Sequence, residues 1–550
     1  VSKQEYKYAV GWSAAIMLLT CVPYLVAWWY TPLNAVFPWT LFNSDDHGVY
    51  FAWMRQAADG KLLFRNLFTS EPQRGIYLQL YFLVLGQLAR LPGIDVPLAY
   101  QIGRVLFGGL TLVLVYRLGA FFTSDQFTRR CIFWTTALSA GFGWAFWHYR
   151  EIQRGTPDVW QPEAITFASL YTNGLFAVSM ALMLGLVVCL LRAEESGWRW
   201  AAGAGLCGLL LGNIHSYDVI HLTAAWVAYL ALRWIVGRRF PVRELGYGLL
   251  AALIAAPSVA YMAWLYLTEP VFKARADTAT LSPPIRQYLL GYGLLIPLSF
   301  VGAWRLWPRN AGKSLAEVDL RVLLPIGWAV VGVIIVYLPF AFQRKLVMGE
   351  HFALAALAGV GIAWLASRAA DGKSAMLRPL VAGLLVAFLS LSNLRYLERD
   401  IRLALRENVT STGIHPAYWL EADIRAFEWL RENTPPDATL LTWPLNGVLA
   451  PAFSGRQVYA GHWGETPDFP RRMGEVFDFY WGRGGAEARR ALLRQAGVDY
   501  VLESPYERDY VDAMASQKSG LPPRRPLSAE SFLRPVYHEG DTVIYQVVAE

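Results

Sequence analysis

The chain has 550 residues, of which 55% are hydrophobic and only 17% charged, with a formal net charge of +7. Its mean hydropathy is +0.30. This balance excludes an ordinary soluble enzyme and points to a polytopic membrane protein. The basic residues sit in short loops between apolar runs, a pattern of membrane orientation, so no nucleic-acid partner is expected. Cys21, Cys131, Cys189 and Cys207 fall inside apolar runs and form neither a metal motif nor a disulfide framework.

In chain order, Lys3 and Lys7 precede an apolar run from about Ala9 to Tyr30. It reads as a first span, not as a cleaved signal. The first polar loop, about 31–96, opens with Asn43-Ser44-Asp45-Asp46-His47-Gly48-Val49-Tyr50. Adjacent carboxylates beside a bilayer are costly unless water, a cation or a substrate compensates them. They read as caps of a helix His47–Ala58, with Asp45 the better placed cap, or as a reaction centre; the two roles are compatible. Segment 76–90 is apolar but short, and carries Gln79 and Gln87. Further candidate spans are 97–122, 130–148, 168–192, 200–214, 217–236, 244–267, 287–306, 320–341, 350–367 and 376–397.

Basic loops at Arg129-Arg130, Arg192 to Arg199, Arg238 to Arg243, Arg305 to Arg321 and Arg368 to Arg378 fall in the cytoplasm by the positive-inside rule. Parity with Lys3 and Lys7 holds only if 76–90 does not cross. That segment is therefore expected as an amphipathic helix at the outer interface. The result is eleven spans within residues 1–397 and an extracytoplasmic first loop. Residues 398–550, charged and Pro-rich, form an extracytoplasmic α/β domain. Its expected elements are a helix Asp423–Arg431, a strand Thr439–Trp443, a helix Ala486–Ala496, a strand Asp499–Glu503 and a hairpin Pro535–Val548 around Glu539-Gly540-Asp541.

On this topology the unusual polar residues gather outside, among them His148, Arg150 and Glu151. Arg344-Lys345 lies at the outer end of a span, where few cations are expected, and reads as a phosphate or pyrophosphate clamp, or as a pair that Glu350 simply neutralises. Arg74 reads as a phosphate contact or as a side chain snorkelling to headgroups. His215 and Asp218, three residues apart on a helix tip, read as a structural pair or a substrate contact. With His221 they do not establish a metal site. Lys273 and Arg275 read as a solvated loop face. Gly461-His462-Trp463-Gly464-Glu465 reads as a packed turn or an acceptor-sugar contact. Asn408-Val409-Thr410 fits the N-glycosylation pattern, which is frequent by chance. A carboxylate pair among cations suits a lipid-linked phosphate substrate. Cations hold the phosphate, and a carboxylate takes a proton from an acceptor hydroxyl.

Asp45-Asp46, then Tyr50, Arg55, Gly60 and Asn66, then the segment Gly75 to Arg90, resembles the opening of the GT-C glycosyltransferases. The protein mannosyltransferases and lipid A aminoarabinose transferases are examples. The likeness in layout covers roughly the first 150 residues, and the later multi-span body and outer C-terminal domain are similar as well. The whole chain most resembles prokaryotic members. The resemblance implies a polytopic α-helical GT-C-like fold in a prokaryotic inner membrane. It implies an inverting transfer of sugar from a polyprenyl-phosphate donor to an extracytoplasmic glycan, lipid or protein acceptor. One aspartate is the base, with Asp45 ahead of Asp46 by family layout. Tyr50, Arg55, Arg74, His215, Asp218, Arg344, Lys345 and His462 are the candidate substrate contacts. No cofactor is indicated, although oligosaccharide-transferring members use a divalent metal. The chain lacks a Trp-Trp-Asp run, and Arg74-Gly75 replaces a Pro-Pro pair, which leaves the sugar open. Two rivals stand beside this reading. A flippase of lipid-linked sugars would need charges deep in its spans or repeated halves. A non-catalytic subunit of an envelope complex would bury the acidic pair in a salt bridge.

Overall fold

The computed structural model describes residues 1–146, 155–308, 319–406, 417–518, 520–521 and 523–548. Six helices are long and apolar enough to cross a membrane: Lys3–Trp29, Val96–Phe122, Gly174–Ser196, Tyr217–Gly237, Val242–Thr268 and Gln343–Ala369. Two bent pairs bring the number to eight if each is one span. They are Ile285–Tyr292 with Leu295–Leu306, bent by 75°, and Leu377–Leu389 with Leu391–Arg406, bent by 49°.

The expected eleven crossings therefore do not appear as eleven full-length helices among the described residues. The apolar runs at 130–148, 200–214 and 320–341 contain helices Gln126–Leu138, Trp198–Ile214 and Leu323–Ile335, of 13, 17 and 13 residues. A straight crossing needs about 20. Hydropathy does not see where a helix stops. The run through Ala140 to Trp144 stays apolar after the first helix has ended at Leu138. The run 287–306 breaks at Gly293, whose φ of 51° only glycine adopts readily. Segment 76–90 holds a helix of nine residues, Leu80–Leu88. It rises only about 14 Å, too little for a hydrocarbon core of about 30 Å. Its two glutamines are structural. The Gln79 side chain caps the helix by accepting from Phe82 N, and Gln87 Nε2 donates to Ala57 O at 2.7 Å.

The chain divides into two compact units. The first comprises Val1–Val22, Ile102–Ala263 and Ala279–Arg399. Its core includes Val115, Leu184, Leu211, Tyr229, Trp328 and Phe352, all buried. Two of its buried polar side chains, Arg104 and His221, find partners across the unit. Arg104 Nη1 donates to Thr20 Oγ1 (2.9 Å) and Leu170 O (3.0 Å). His221 accepts from Trp328 Nε1 at 2.8 Å and turns Nδ1 to Leu346 O. Its proton must then sit on Nδ1, and the ring ties the short helical turn Gln343–Val347 to two helices.

The second unit comprises Pro23–Gln101, Trp264–Thr278 and Asp400–Glu550. Strands β1 (Ala35–Val36) and β2 (Trp419–Leu420) pair antiparallel. Five further strands are β3 (Thr439–Leu441), β4 (Gln457–Val458), β5 (Tyr500–Glu503), β6 (Leu533–Glu539) and β7 (Thr542–Val547). They form a sheet of order β4-β3-β5-β7-β6. β3 runs parallel to β4 and β5, and β7 runs antiparallel to β5 and β6. Strand β3 stops two residues before the expected Trp443, because Pro444 opens a helix, Pro444–Ser454. Helices Glu421–Asn433 and Gly485–Ala496 coincide with the expected ones.

A buried acidic pair knots this unit together. Glu507 accepts from Thr442 Oγ1 (2.6 Å), Trp443 N (3.2 Å) and Ser504 N (3.0 Å). Asn446 Nδ2 bridges it to Asp423 Oδ2 at 3.1 Å, and Asp423 Oδ1 accepts from Thr542 Oγ1 at 2.6 Å. Burial first, and then the Glu507 charge, pushes the Asp423 carboxyl up to about 7; burial also raises Glu507. A raised acid stabilises the fold in its protonated form. The Asp423 contribution is complete below its ordinary value of 3.8 and is lost as pH rises through about 7. The stability of the second unit is therefore expected to fall between pH 5 and pH 8 by on the order of 1–4 kcal/mol, and its thermal midpoint with it. Asp423→Asn should flatten that fall. Scanning fluorimetry of the detergent-solubilised chain checks this, and an unchanged pH slope in the variant would refute it.

Candidate functional site

Asp45 and Asp46 occupy the first turn of the helix Ser44–Ala58. The capping position is Asn43, in the left-handed region (φ 52°), with no side-chain cap. The expectation that Asp45 caps a helix starting at His47 is thus corrected. Asparagine tolerates the left-handed backbone, so the helix starts three residues earlier. Both carboxylates then lie where the helix dipole favours negative charge. His47 turns its Nδ1 back to Asn43 O at 2.8 Å and sets its ring edge-on to Tyr100. Tyr50 is buried and stacks on Phe82 and Tyr100, supporting the helix from behind. Arg55 gives its Nε to Ala452 O at 3.1 Å. Burial, and then the Arg431 charge, lowers its pKa against the opposing pull of Asp59.

The turn Gly461–Glu465 completes the acidic pair. His462 is buried, with Nε2 3.3 Å from Asp46 Oδ1 and 3.9 Å from Asp45 Oδ2. Its Nδ1 accepts from Gly464 N at 3.1 Å, which sets the neutral ring's proton on Nε2, facing the aspartates. Trp463, 42% exposed, donates Nε1–H to Asp45 Oδ2 at 3.2 Å. Burial alone would lower the His462 pKa, but the adjacent Asp46 carboxylate and the charges of Asp45 and Glu465 outweigh it and raise it. The Asp45 and Asp46 side chains are 24% and 35% exposed, so both carboxylates reach the surface beside His462.

The turn itself is held rigidly. Thr466 Oγ1 accepts from Gly461 N (3.1 Å) and donates to Phe68 O (2.8 Å). Asn66 Nδ2 donates to Glu465 O at 2.9 Å. The Glu465 carboxylate pairs with Arg275 Nε at 2.9 Å. Arg275 is therefore part of this site's frame, not of the expected solvated loop face. The helices Ser44–Ala58 and Pro444–Ser454 cross so closely that a Cβ on Gly48 would overlap the Val448 backbone.

The remaining expected residues fall elsewhere. Arg74 is exposed in the loop before the helix Leu80–Leu88. Arg344 and Lys345 belong to the first unit, in the turn Gln343–Val347. The Arg344 guanidinium lies over the Trp160 ring (5.6 Å) and 3.9 Å from Glu163. Lys345 Nζ lies over Tyr217 (4.8 Å), whose ring meets His215 edge-on. His215 Nδ1 is 3.0 Å from Asp218 Oδ1. The structure thus brings Lys345 and His215 to one tyrosine, with Asp218 beside His215. Glu350 does not neutralise Arg344-Lys345 as expected. It is fully buried, with no hydrogen bond among the described residues, and Glu163 takes that position. His148, Arg150, Glu151 and Asn408-Val409-Thr410 lie outside the described residues. Among the described residues no group of three or more His, Cys, Asp or Glu side chains could hold a metal ion.

Comparison with known proteins places the fold. A family model described as a family of unknown function (DUF6541) matches residues 351–549. No curated protein matches. Among solved structures, the apo oligosaccharyltransferase of Archaeoglobus fulgidus is similar at 12% identity, over 90% of this chain and 69% of its own, with a TM-score of 0.53. ArnT of Cupriavidus metallidurans, bound to undecaprenyl phosphate, is similar at 14% identity, over 98% and 99%, with a TM-score of 0.52. The mycobacterial arabinofuranosyltransferase AftD is similar at 14% identity, over 100% and 42%, with a TM-score of 0.54. These are GT-C glycosyltransferases, and the chain is an integral membrane protein with their fold.

The pairing of His462 has a direct readout. In NMR of the histidine-labelled chain in nanodiscs, His462 should titrate above the usual 6.5. Asp46→Asn should lower its midpoint more than Asp45→Asn does. Equal and negligible shifts in the two variants would contradict the assignment.

Proposed function

We propose that the protein is an inverting glycosyltransferase that moves a sugar from a polyprenyl-phosphate donor to a hydroxyl acceptor outside the cytoplasm. The observation that carries this reading is the carboxylate pair engaged by His462 and Trp463 in a GT-C fold. ArnT, solved with undecaprenyl phosphate, supports a lipid-phosphate leaving group. The placement of residues 398–550 as an outer domain belongs to the same proposal.

The chemistry needs one base. The acceptor O–H gives its proton to a carboxylate as its oxygen bonds to the anomeric carbon. The carbon–oxygen bond to the phosphate breaks on the opposite face, and the polyprenyl phosphate leaves with the electron pair. A phosphate leaving group needs little protonation, so no partner acid is required. Asp45 is the base in this reading. Asp46 lies closer to His462, whose proton-bearing Nε2 makes it the weaker proton acceptor. Trp463 offers an exposed aromatic face of the kind that sugar rings pack against. Arg344 and Lys345 are the candidates for the donor phosphate, with charge-assisted bonds that strengthen as the leaving group gains charge.

Transfer is measured with polyprenyl-phosphate mannose and polyprenyl-phosphate glucose in nanodiscs, reading release of polyprenyl phosphate. Asp45→Asn should lower the rate about 100-fold or more, with unchanged circular dichroism. Full activity of both Asp45→Asn and Asp46→Asn would sink the proposal. Arg344→Ala should raise the donor KM about tenfold with a smaller change in kcat; an unchanged donor KM would remove Arg344 from the phosphate site.

A further inference from the structure

The first unit holds a cavity of about 620 Å³ between the bent helix pair Ile285–Leu306 and the helices Leu323–Ile335 and Glu350–Ala369. Its wall is almost wholly aliphatic and aromatic, and no lysine, arginine or histidine lines it. Two of the polar residues in that wall, Glu350 and Tyr292, stand out. Glu350 is fully buried, and neither carboxyl oxygen has a hydrogen-bond partner among the described residues. The Tyr292 hydroxyl, also buried, has none either. Two other polar groups of the wall do find partners. The Tyr288 hydroxyl pairs with Gln161 Nε2 at 3.3 Å, and Ser299 Oγ donates to Ile296 O at 2.7 Å. The Glu350 carboxyl lies over Gly332, where a Cβ would overlap it, so a missing side chain makes the room it occupies.

Buried polar groups are paired in folded proteins almost without exception. Two unpaired ones facing a single apolar cavity mark the place of a missing partner. We propose that this cavity is a binding site for an uncharged lipid carrying a hydroxyl group, with the hydroxyl held between Glu350 and Tyr292 and the chain against the apolar wall. An unpaired carboxylate in such surroundings is strongly disfavoured. The chemistry on offer is therefore that of a neutral acid, which donates one hydrogen bond and accepts another. A phenol adds a second donor and acceptor. An alcohol matches that pattern. A phosphate head does not, because no cation lines the wall. An ammonium head would require the carboxyl to ionise inside the cavity at a desolvation cost.

The test uses the full chain in phosphatidylcholine nanodiscs and a long-chain alcohol bearing a diazirine, alongside its methyl ether and its ammonium analogue. Labelled peptides are mapped by mass spectrometry. The alcohol should label residues 285–306 and 350–369 about tenfold more than the ether, the worth of one hydrogen bond. Glu350→Gln keeps a donor and an acceptor and should keep the preference. Glu350→Leu and Tyr292→Phe should lose it, and the Gln and Phe variants decide the matter if the Leu variant does not fold. Equal labelling by alcohol and ether would mean that water alone satisfies the two groups and would overturn the site. Stronger labelling by the ammonium analogue would overturn the neutral chemistry. Competition by a polyprenyl phosphate as effective as that by the matching prenol would overturn the exclusion of a charged head.

Discussion

The crossing of the helix Ser44–Ala58 over the helix Pro444–Ser454 is the contact on which the acidic site depends. Glycine at 48 lets one helix backbone reach the other, and Gly447 makes the same kind of approach to Gly461. The second contact seats the turn that carries His462 and Trp463. Arg55 fixes the far end of the crossing through Ala452 O. A side chain at either glycine would separate the carboxylates from the groups that engage them. The site's geometry therefore rests on two positions that carry no chemistry themselves.

Electrostatics then divides the labour. Two adjacent carboxylates repel, and the start of a helix relieves only part of that repulsion. The remainder is answered unequally, by an imidazole nearer Asp46 and an indole N–H on Asp45. Unequal neighbours are how like residues come to play different parts in one reaction. Glu465 adds a further negative charge nearby, yet Arg275 and Asn66 hold it within the frame of the turn.

The legible parts of the fold were those where a local pattern and a structural element have the same length. The apolar run 97–122 is the helix Val96–Phe122, and the run 217–236 is the helix Tyr217–Gly237. The hairpin around Gly540 follows from turn chemistry, and its glycine has a φ of 56°. Patterns failed where apolar composition continued past a helix end, as beyond Leu138, or across the break at Gly293. At the site, the acidic pair and the unusual density of Gly461–Glu465 were both visible, but not that they meet. Arg275 and Glu465 are far apart in the chain, and no local signal joins them. Glu350 misled for a different reason. Proximity in sequence to Arg344-Lys345 suggested a charge pair, whereas the helix turns its side chain inward over Gly332.

The order of residues in the second unit also has a consequence for how the protein is made. The acidic pair leaves the ribosome first, and the turn that completes it comes more than 400 residues later. At about 5–20 residues per second, some tens of seconds pass in which Gly48 faces no partner helix and the two aspartates lack both imidazole and indole. The nascent chain thus carries an unfinished first loop through almost the whole insertion of its apolar helices. Assembly of the carboxylate site is a late event of biogenesis, set by translation and not by the intrinsic folding speed of the loop.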